Sequence, residues 1–107
     1  VTLGNNLRAM REKIVDSGRE VIFATYWPSS PGACTQYSQS QFNLYQDHMR
    51  RLNQEITNAA EATGDTLVRL DDLFEIAKRP ENYFDCLHPS SDGYELIARQ
   101  WMDRYDF

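Results

Sequence analysis

Two residues near the end of the chain have the types and the spacing of half a catalytic triad. Asp85 lies three positions before His88, and Pro89 and Ser90 follow directly. On a turn, this spacing can place the carboxylate beside one imidazole nitrogen, which fixes the tautomer and leaves the other nitrogen free to act as a general base. The alternative is a surface histidine that only caps the turn. The residues that follow His88 favour the catalytic interpretation.

Those following residues carry a resemblance to a known family. The run DCLHPSSDGYELIA, residues 85–98, resembles the C-terminal signature of the SGNH (GDSL-type) hydrolases. Two upstream stretches, residues 5–28 and 66–74, are similar to earlier segments of that family, more weakly. The resemblance implies that Asp85 is the triad acid and His88 the triad base of a serine ester hydrolase that needs no metal or other cofactor.

The sequence also departs from the family, because it lacks the blocks that carry the nucleophile. It has no Gly-Asp-Ser block, no clear second-block glycine and no Gly-x-Asn-Asp block. The resemblance therefore implies that residues 1–107 are the C-terminal portion of one hydrolase domain. We expect the serine and the oxyanion donors to come from a segment absent here, and this chain alone to be inactive. The expected partner is that N-terminal portion, or a swapped copy of this chain, and the start at Val1 suggests a processed or excised product.

The substrate is expected to be a small ester, of a kind that the sequence does not specify. Trp27, Pro28 and Tyr37 lie in or beside a polar loop, residues 27–40, that follows an apolar run. Open α/β sheets bind ligands at the carboxyl ends of their strands, so these residues are candidates for lining a substrate pocket. The alternative is that they only pin the loop.

The two cysteines match neither a zinc pattern nor a Cys-x-x-Cys redox motif. In the architecture that the resemblance implies, Cys34 and Cys86 both lie at the active-site end of the sheet, so a disulfide between them is sterically reasonable. Two separate free thiols are the alternative. A bridge would indicate an oxidising compartment, and a secreted protein would then be favoured.

Composition excludes several classes of function. The formal net charge is −5, with eleven Lys and Arg scattered among sixteen Asp and Glu. Such a surface argues against nucleic-acid binding, which needs a basic face. No apolar stretch approaches the length of a membrane span. We therefore expect neither nucleic acid nor a membrane among the partners.

The spacing of apolar residues predicts about four helices. The first has an inner face of Leu3, Leu7, Met10 and Ile14 and stops at Gly18. The longest begins at a capping box of Ser38 and Gln41 and ends at Gly64. Its predicted inner face consists of Phe42, Tyr45, Met49, Leu52, Ile56 and Ala59. A short helix through Leu73, Phe74, Ile76 and Ala77 is capped by Asp71 or Asp72, and a final helix with Ser91 as cap turns inward Tyr94, Ile97, Ala98, Trp101 and Tyr105.

Two short apolar runs, residues 21–26 and 66–70, predict strands of a parallel sheet. The order of elements is that of an α/β protein, and the resemblance implies part of a three-layer α/β/α, flavodoxin-like sandwich. Two strands leave backbone groups unpaired at both edges of the sheet, which is a second reason to expect a partner polypeptide.

Other interpretations of the same residues stay open. The chain can be a noncatalytic α/β interaction module in which the turn from Asp85 to His88 is only structural. Cys86 can be a nucleophile, or a zinc ligand together with Asp85 and His88, although neither is favoured. His48 is expected on a solvated helix face, and Gly4 is a weak candidate for an oxyanion donor.

Overall fold

In the part of the chain that the structure describes, three α-helices and a two-stranded parallel sheet form the fold. A computed structural model describes residues 2–28, 37–73, 75, 79–85 and 88–105. The helices are α1 (Thr2–Asp16), α2 (Gln39–Thr63) and α3 (Ser91–Arg104), and the strands are β1 (Ile22–Ala24) and β2 (Thr66–Val68). Two short 3-10 helices span Leu70–Leu73 and Pro80–Asn82. The mixed α/β class that the sequence predicts is therefore confirmed.

The two strands pair in parallel, with α2 as the connection between them. Ile22 lies opposite Thr66 and Ala24 opposite Val68. Both strands are shorter than predicted, at three residues each. After β1, the Thr25 N–H still donates to Val68 O at 3.0 Å, and the next N–H, that of Tyr26, donates to Asn53 Oδ1 on α2 at 2.8 Å.

The boundaries of α2 confirm the prediction from sequence. Ser38 and Gln41 form the capping box, in which each side chain accepts a hydrogen bond from the other residue's backbone N–H. Gly64 ends the helix with φ of 72°, a left-handed conformation that glycine adopts without a steric penalty. The predicted inner face is also confirmed, since each of its six residues is buried or half-buried.

The core lies where α1 and α2 cover the sheet. Its buried members are Phe23, Ile56, Ala59 and Ala60, and the half-buried residues packed on them are Leu3, Leu7, Val21, Leu52 and Leu67. The predicted inner face of α1 is wrong in its second half, because Met10 is 59% and Ile14 38% exposed. There, α1 is held by the Arg11 guanidinium, whose Nε lies 2.6 Å from Asp65 Oδ2. This ion pair takes the place of an apolar contact.

Two predictions for the C-terminal elements need correction. Ser90, not Ser91, caps α3, and its Oγ accepts from the Gly93 N–H. Within the predicted inner face of α3, Tyr94 and Ala98 are exposed. The helix is held along a narrow side, where Gln100 Nε2 donates to Arg69 O at 2.9 Å.

Most of the predicted fourth helix lies outside the described residues, and within them Glu75 is helical. Its first residues, Asp71 and Asp72, lie inside the 3-10 helix Leu70–Leu73 instead of capping an α-helix. Phe74 and residues 76–78 lie outside the described residues. Three α-helices have their bounds within the described residues, where about four helices were predicted over the whole chain.

The Arg11–Asp65 contact makes stability depend on pH. Hydrogen bonds from Arg11 and then from Thr63 lower the pKa of Asp65 below its usual value. At pH values above the pKa of Asp in the unfolded chain, about 3.9, the lowered folded-state pKa contributes its full stabilisation. This contribution is lost as the pH falls through the folded-state pKa. We expect the free energy of unfolding, measured with denaturant, to fall between pH 5 and pH 3, and to fall less in Asp65→Asn. Equal pH dependence in both proteins would contradict this assignment.

Within the part of the chain that the structure describes, no helix combines the length and the apolar character that crossing a membrane requires.

Candidate active site

Asp85 and His88, the residues predicted to be catalytic, lie on a tight reversal of the chain before α3. Tyr83 and Pro89 form an antiparallel bridge that closes it. Inside the bridge, the Phe84 N–H donates to His88 O at 2.8 Å. We call residues 83–89 the triad turn. Cys86 and Leu87 lie outside the described residues.

The Asp85 carboxylate contacts both the backbone and the ring of His88. Its Oδ1 accepts from the His88 backbone N–H at 2.7 Å. The ring Nδ1 lies 2.8 Å from Oδ2 and 3.0 Å from Oδ1. An ionised carboxylate can only accept hydrogen bonds, so Nδ1 carries the proton and Nε2 is left with its lone pair. This is the arrangement of an acid that orients a base.

The pair lies at the surface of the chain. The His88 side chain is 70% exposed and that of Asp85 44%. Among the described residues, no group hydrogen-bonds to Nε2. The lone pair that would accept a proton therefore faces outward, accessible to a hydroxyl from another polypeptide or to water.

The triad turn is fixed to the start of α3 by short polar contacts. Ser90 Oγ donates to Glu81 O at 2.7 Å, and the Ser90 N–H donates to Asn82 O at 2.9 Å. Gly93, in the first turn of α3, packs against the backbone of Asn82. The rigid helix thus holds both ends of the turn.

A cavity of about 290 Å³ lies beside the end of β1. Trp27 and Pro28 line it, together with residues that the sequence did not indicate: Gln46, Met49, Arg50, Asn53 and Asp71. Those from α2 lie far from Trp27 in the sequence, so no local pattern marks them. Tyr37, the third predicted pocket residue, does not line this cavity and is 46% exposed.

Tyr83 joins the cavity to the triad turn, and sequence reasoning missed it. It is only 7% exposed. Its ring packs against Trp27, with centroids 5.6 Å apart and planes tilted by 40°. Its hydroxyl donates to Pro28 O. Burial raises the pKa of Tyr83 well above its usual value, so the hydroxyl stays a donor. The only sequence feature that could have indicated Tyr83 is that an aromatic residue lies two positions before Asp85.

The other residues considered from the sequence are Asp71, His48 and the two cysteines. Asp71 Oδ1 accepts from Thr25 Oγ1 at 2.8 Å and Asp71 Oδ2 lies 3.0 Å from Arg69 Nη2, which ties the end of β1 to the 3-10 helix after β2. His48 is exposed on α2, as predicted.

Among the described residues no cluster of three or more His, Cys, Asp or Glu could hold a metal ion. Cys34 and Cys86 lie outside the described residues, and so do the predicted disulfide and the zinc and thiol alternatives.

Comparisons with protein-family models, with curated proteins and with solved structures find no match for this chain. The chemistry of the site is therefore derived from its own residues.

Proposed function

We propose that this chain is the C-terminal part of an SGNH-type serine ester hydrolase and that it supplies the acid and the base of a Ser-His-Asp triad. The observation that carries the proposal is the contact of both Asp85 carboxylate oxygens with Nδ1 of His88, at 2.8 and 3.0 Å. That contact selects the tautomer in which Nε2 can accept a proton. The resemblance of residues 85–98 to the family signature supports the same roles.

In the proposed reaction, a serine hydroxyl from another segment attacks the ester carbonyl while His88 Nε2 accepts its proton. Asp85 stabilises the imidazolium that results. Collapse of the tetrahedral intermediate transfers that proton to the departing alcohol and leaves an acyl-serine. Water then attacks the acyl group with His88 again as base, which releases the acid and restores the serine. The oxyanion donors also belong to the other segment.

The open edge of β1 supports a partner polypeptide. The Thr25 N–H donates to Val68 O, so the backbone groups of Ile22 and Ala24 point to the opposite edge, since they alternate along a strand. No other strand of the described residues pairs there. A cavity of about 440 Å³ with apolar walls adjoins β1. We propose that the N-terminal portion of the hydrolase, or a swapped copy, adds strands at this edge and completes a flavodoxin-like sandwich.

The cavity beside Trp27 and Pro28 is the proposed site for one part of a small ester. Its apolar walls, Trp27 and Met49, suit a hydrocarbon or the flat face of a ring, and Gln46, Arg50, Asn53 and Asp71 make the rest of the lining polar. The volume, about 290 Å³, is at the lower end for a small-molecule pocket.

The proposal is tested by labelling with a fluorophosphonate, which reacts with the activated serine of serine hydrolases. We call the polypeptide that carries the Gly-Asp-Ser block, separate or preceding these residues, the serine-bearing segment. The chain together with that segment should be labelled on the segment's serine, and the chain alone should not be labelled. Failure of a formed complex to react would overturn the proposal and favour the noncatalytic interaction module, for which the open sheet edge is the supporting observation.

A further inference from the structure

Tyr83 is the residue through which the triad turn reaches the segment after β1. Its hydroxyl donates to Pro28 O, 55 positions away in the sequence, and its ring packs on Trp27. Its neighbour Phe84 is 84% exposed and contributes no comparable burial. The aromatic anchor of the turn is therefore Tyr83.

The contacts that form the catalytic pair itself are local. Asp85 and His88 are three positions apart and both are substantially exposed. A pair formed by residues three positions apart keeps its geometry only while the turn that carries both residues keeps its conformation. Tyr83 restrains the turn from outside, since its backbone forms the bridge to Pro89 that closes it.

We propose that Tyr83 is a positioning residue, which anchors the triad turn to the Trp27–Pro28 backbone and so keeps Asp85 on Nδ1 of His88. The role deepens the proposed function and rests on it. Because Trp27 and Pro28 also line the 290 Å³ cavity, a ligand that moves them is coupled through Tyr83 to the orientation of the imidazole.

The experiment measures the tautomer of His88 by ¹⁵N NMR of histidine-labelled chain. The variant is Tyr83→Phe, which keeps the ring and removes the hydroxyl. Its matched control is Tyr94→Phe, which removes a hydroxyl from a tyrosine that is 59% exposed. The exposed His48 in the same samples reports the tautomer of an unrestrained imidazole.

In the wild-type chain and in Tyr94→Phe, we expect Nδ1 of His88 to carry the proton. In Tyr83→Phe, the ratio of the Nε2-protonated to the Nδ1-protonated form should rise about tenfold, the effect of losing one buried hydrogen bond. An unchanged ratio in folded Tyr83→Phe overturns the inference and leaves the proposed function standing. A wild-type His88 protonated at Nε2 overturns the proposed function itself.

A second variant covers the case in which Tyr83→Phe does not fold. Trp27→Phe keeps the hydroxyl bond and shrinks the surface on which the Tyr83 ring packs. It should shift the ratio in the same direction and by less than tenfold. No shift in folded Trp27→Phe would then overturn the anchoring role.

Discussion

Replacing His88 by alanine is expected to lower the rate of ester hydrolysis about 10²- to 10⁴-fold, the contribution of a positioned general base. The loss should fall on kcat, because the imidazole acts on the proton of the serine and does not hold the substrate. The measurement is the initial rate of p-nitrophenyl acetate hydrolysis by the chain together with the serine-bearing segment.

The chain offers a matched control for this substitution in its other histidine. His48 is exposed on α2 and has no part in the proposed reaction. His48→Ala should therefore leave the rate unchanged. Activity that survives His88→Ala, or that falls equally in both variants, would remove the hydrolase assignment.

Asp85→Asn probes the same chemistry from the side of the acid. The amide is uncharged and can donate to Nδ1, which favours the tautomer with its proton on the wrong nitrogen. We expect a loss comparable to that in His88→Ala, with the fold retained.

Replacing Gly93 by alanine is expected to destabilise the protein by about 2 to 3 kcal/mol, the upper range for overpacking at a tight site. A Cβ at this position would lie 2.2 Å from Asn82 O and 2.9 Å from Pro89 Cβ. Neither atom belongs to a flexible side chain, so the helix and the triad turn would have to separate. The measurement is the midpoint of denaturant unfolding in the wild-type protein and the variant. The midpoints are compared when the dependence of the unfolding free energy on denaturant concentration, the m value, is the same in both.

Gly4 provides the control for Gly93, because each is the third residue of its helix. A Cβ at Gly4 would lie 2.7 Å from Glu55 Oε2, the end of a flexible side chain that also accepts a hydrogen bond from the Gly4 backbone. Shifting this carboxylate weakens that bond, while alanine is the better helix former by about 1 kcal/mol. Gly4→Ala should thus destabilise the protein much less than Gly93→Ala. Equal destabilisation of both variants would show that close packing at Gly93 is not the cause.

The features that could be predicted from the sequence are those with local causes. The capping box at Ser38 and the left-handed Gly64 follow from residues within one helical turn of each boundary. The contact between Asp85 and His88 is equally local, because it joins residues three positions apart. Each needs only the preferences of neighbouring residues.

The features that could not be predicted depend on distant partners. The exposure of Met10 follows from where the Arg11–Asp65 ion pair places α1, which helical spacing does not encode. The two strands are three residues long because their mutual pairing covers only that stretch, and the apolar runs do not encode where pairing ends. The bond from Tyr83 to Pro28 spans 55 positions and has no sequence signature. Tertiary contacts decide all three.

The most direct test of the proposed roles of Asp85 and His88 is the ¹⁵N NMR spectrum of the wild-type chain at a pH where its imidazoles are neutral. For His88 we predict a protonated Nδ1 and a bare Nε2, and for His48 the opposite preference of a free imidazole. In Asp85→Asn, His88 should revert to the behaviour of His48. A wild-type His88 that already carries its proton on Nε2 would contradict the assignment of Asp85 and His88 as the acid and base of a triad.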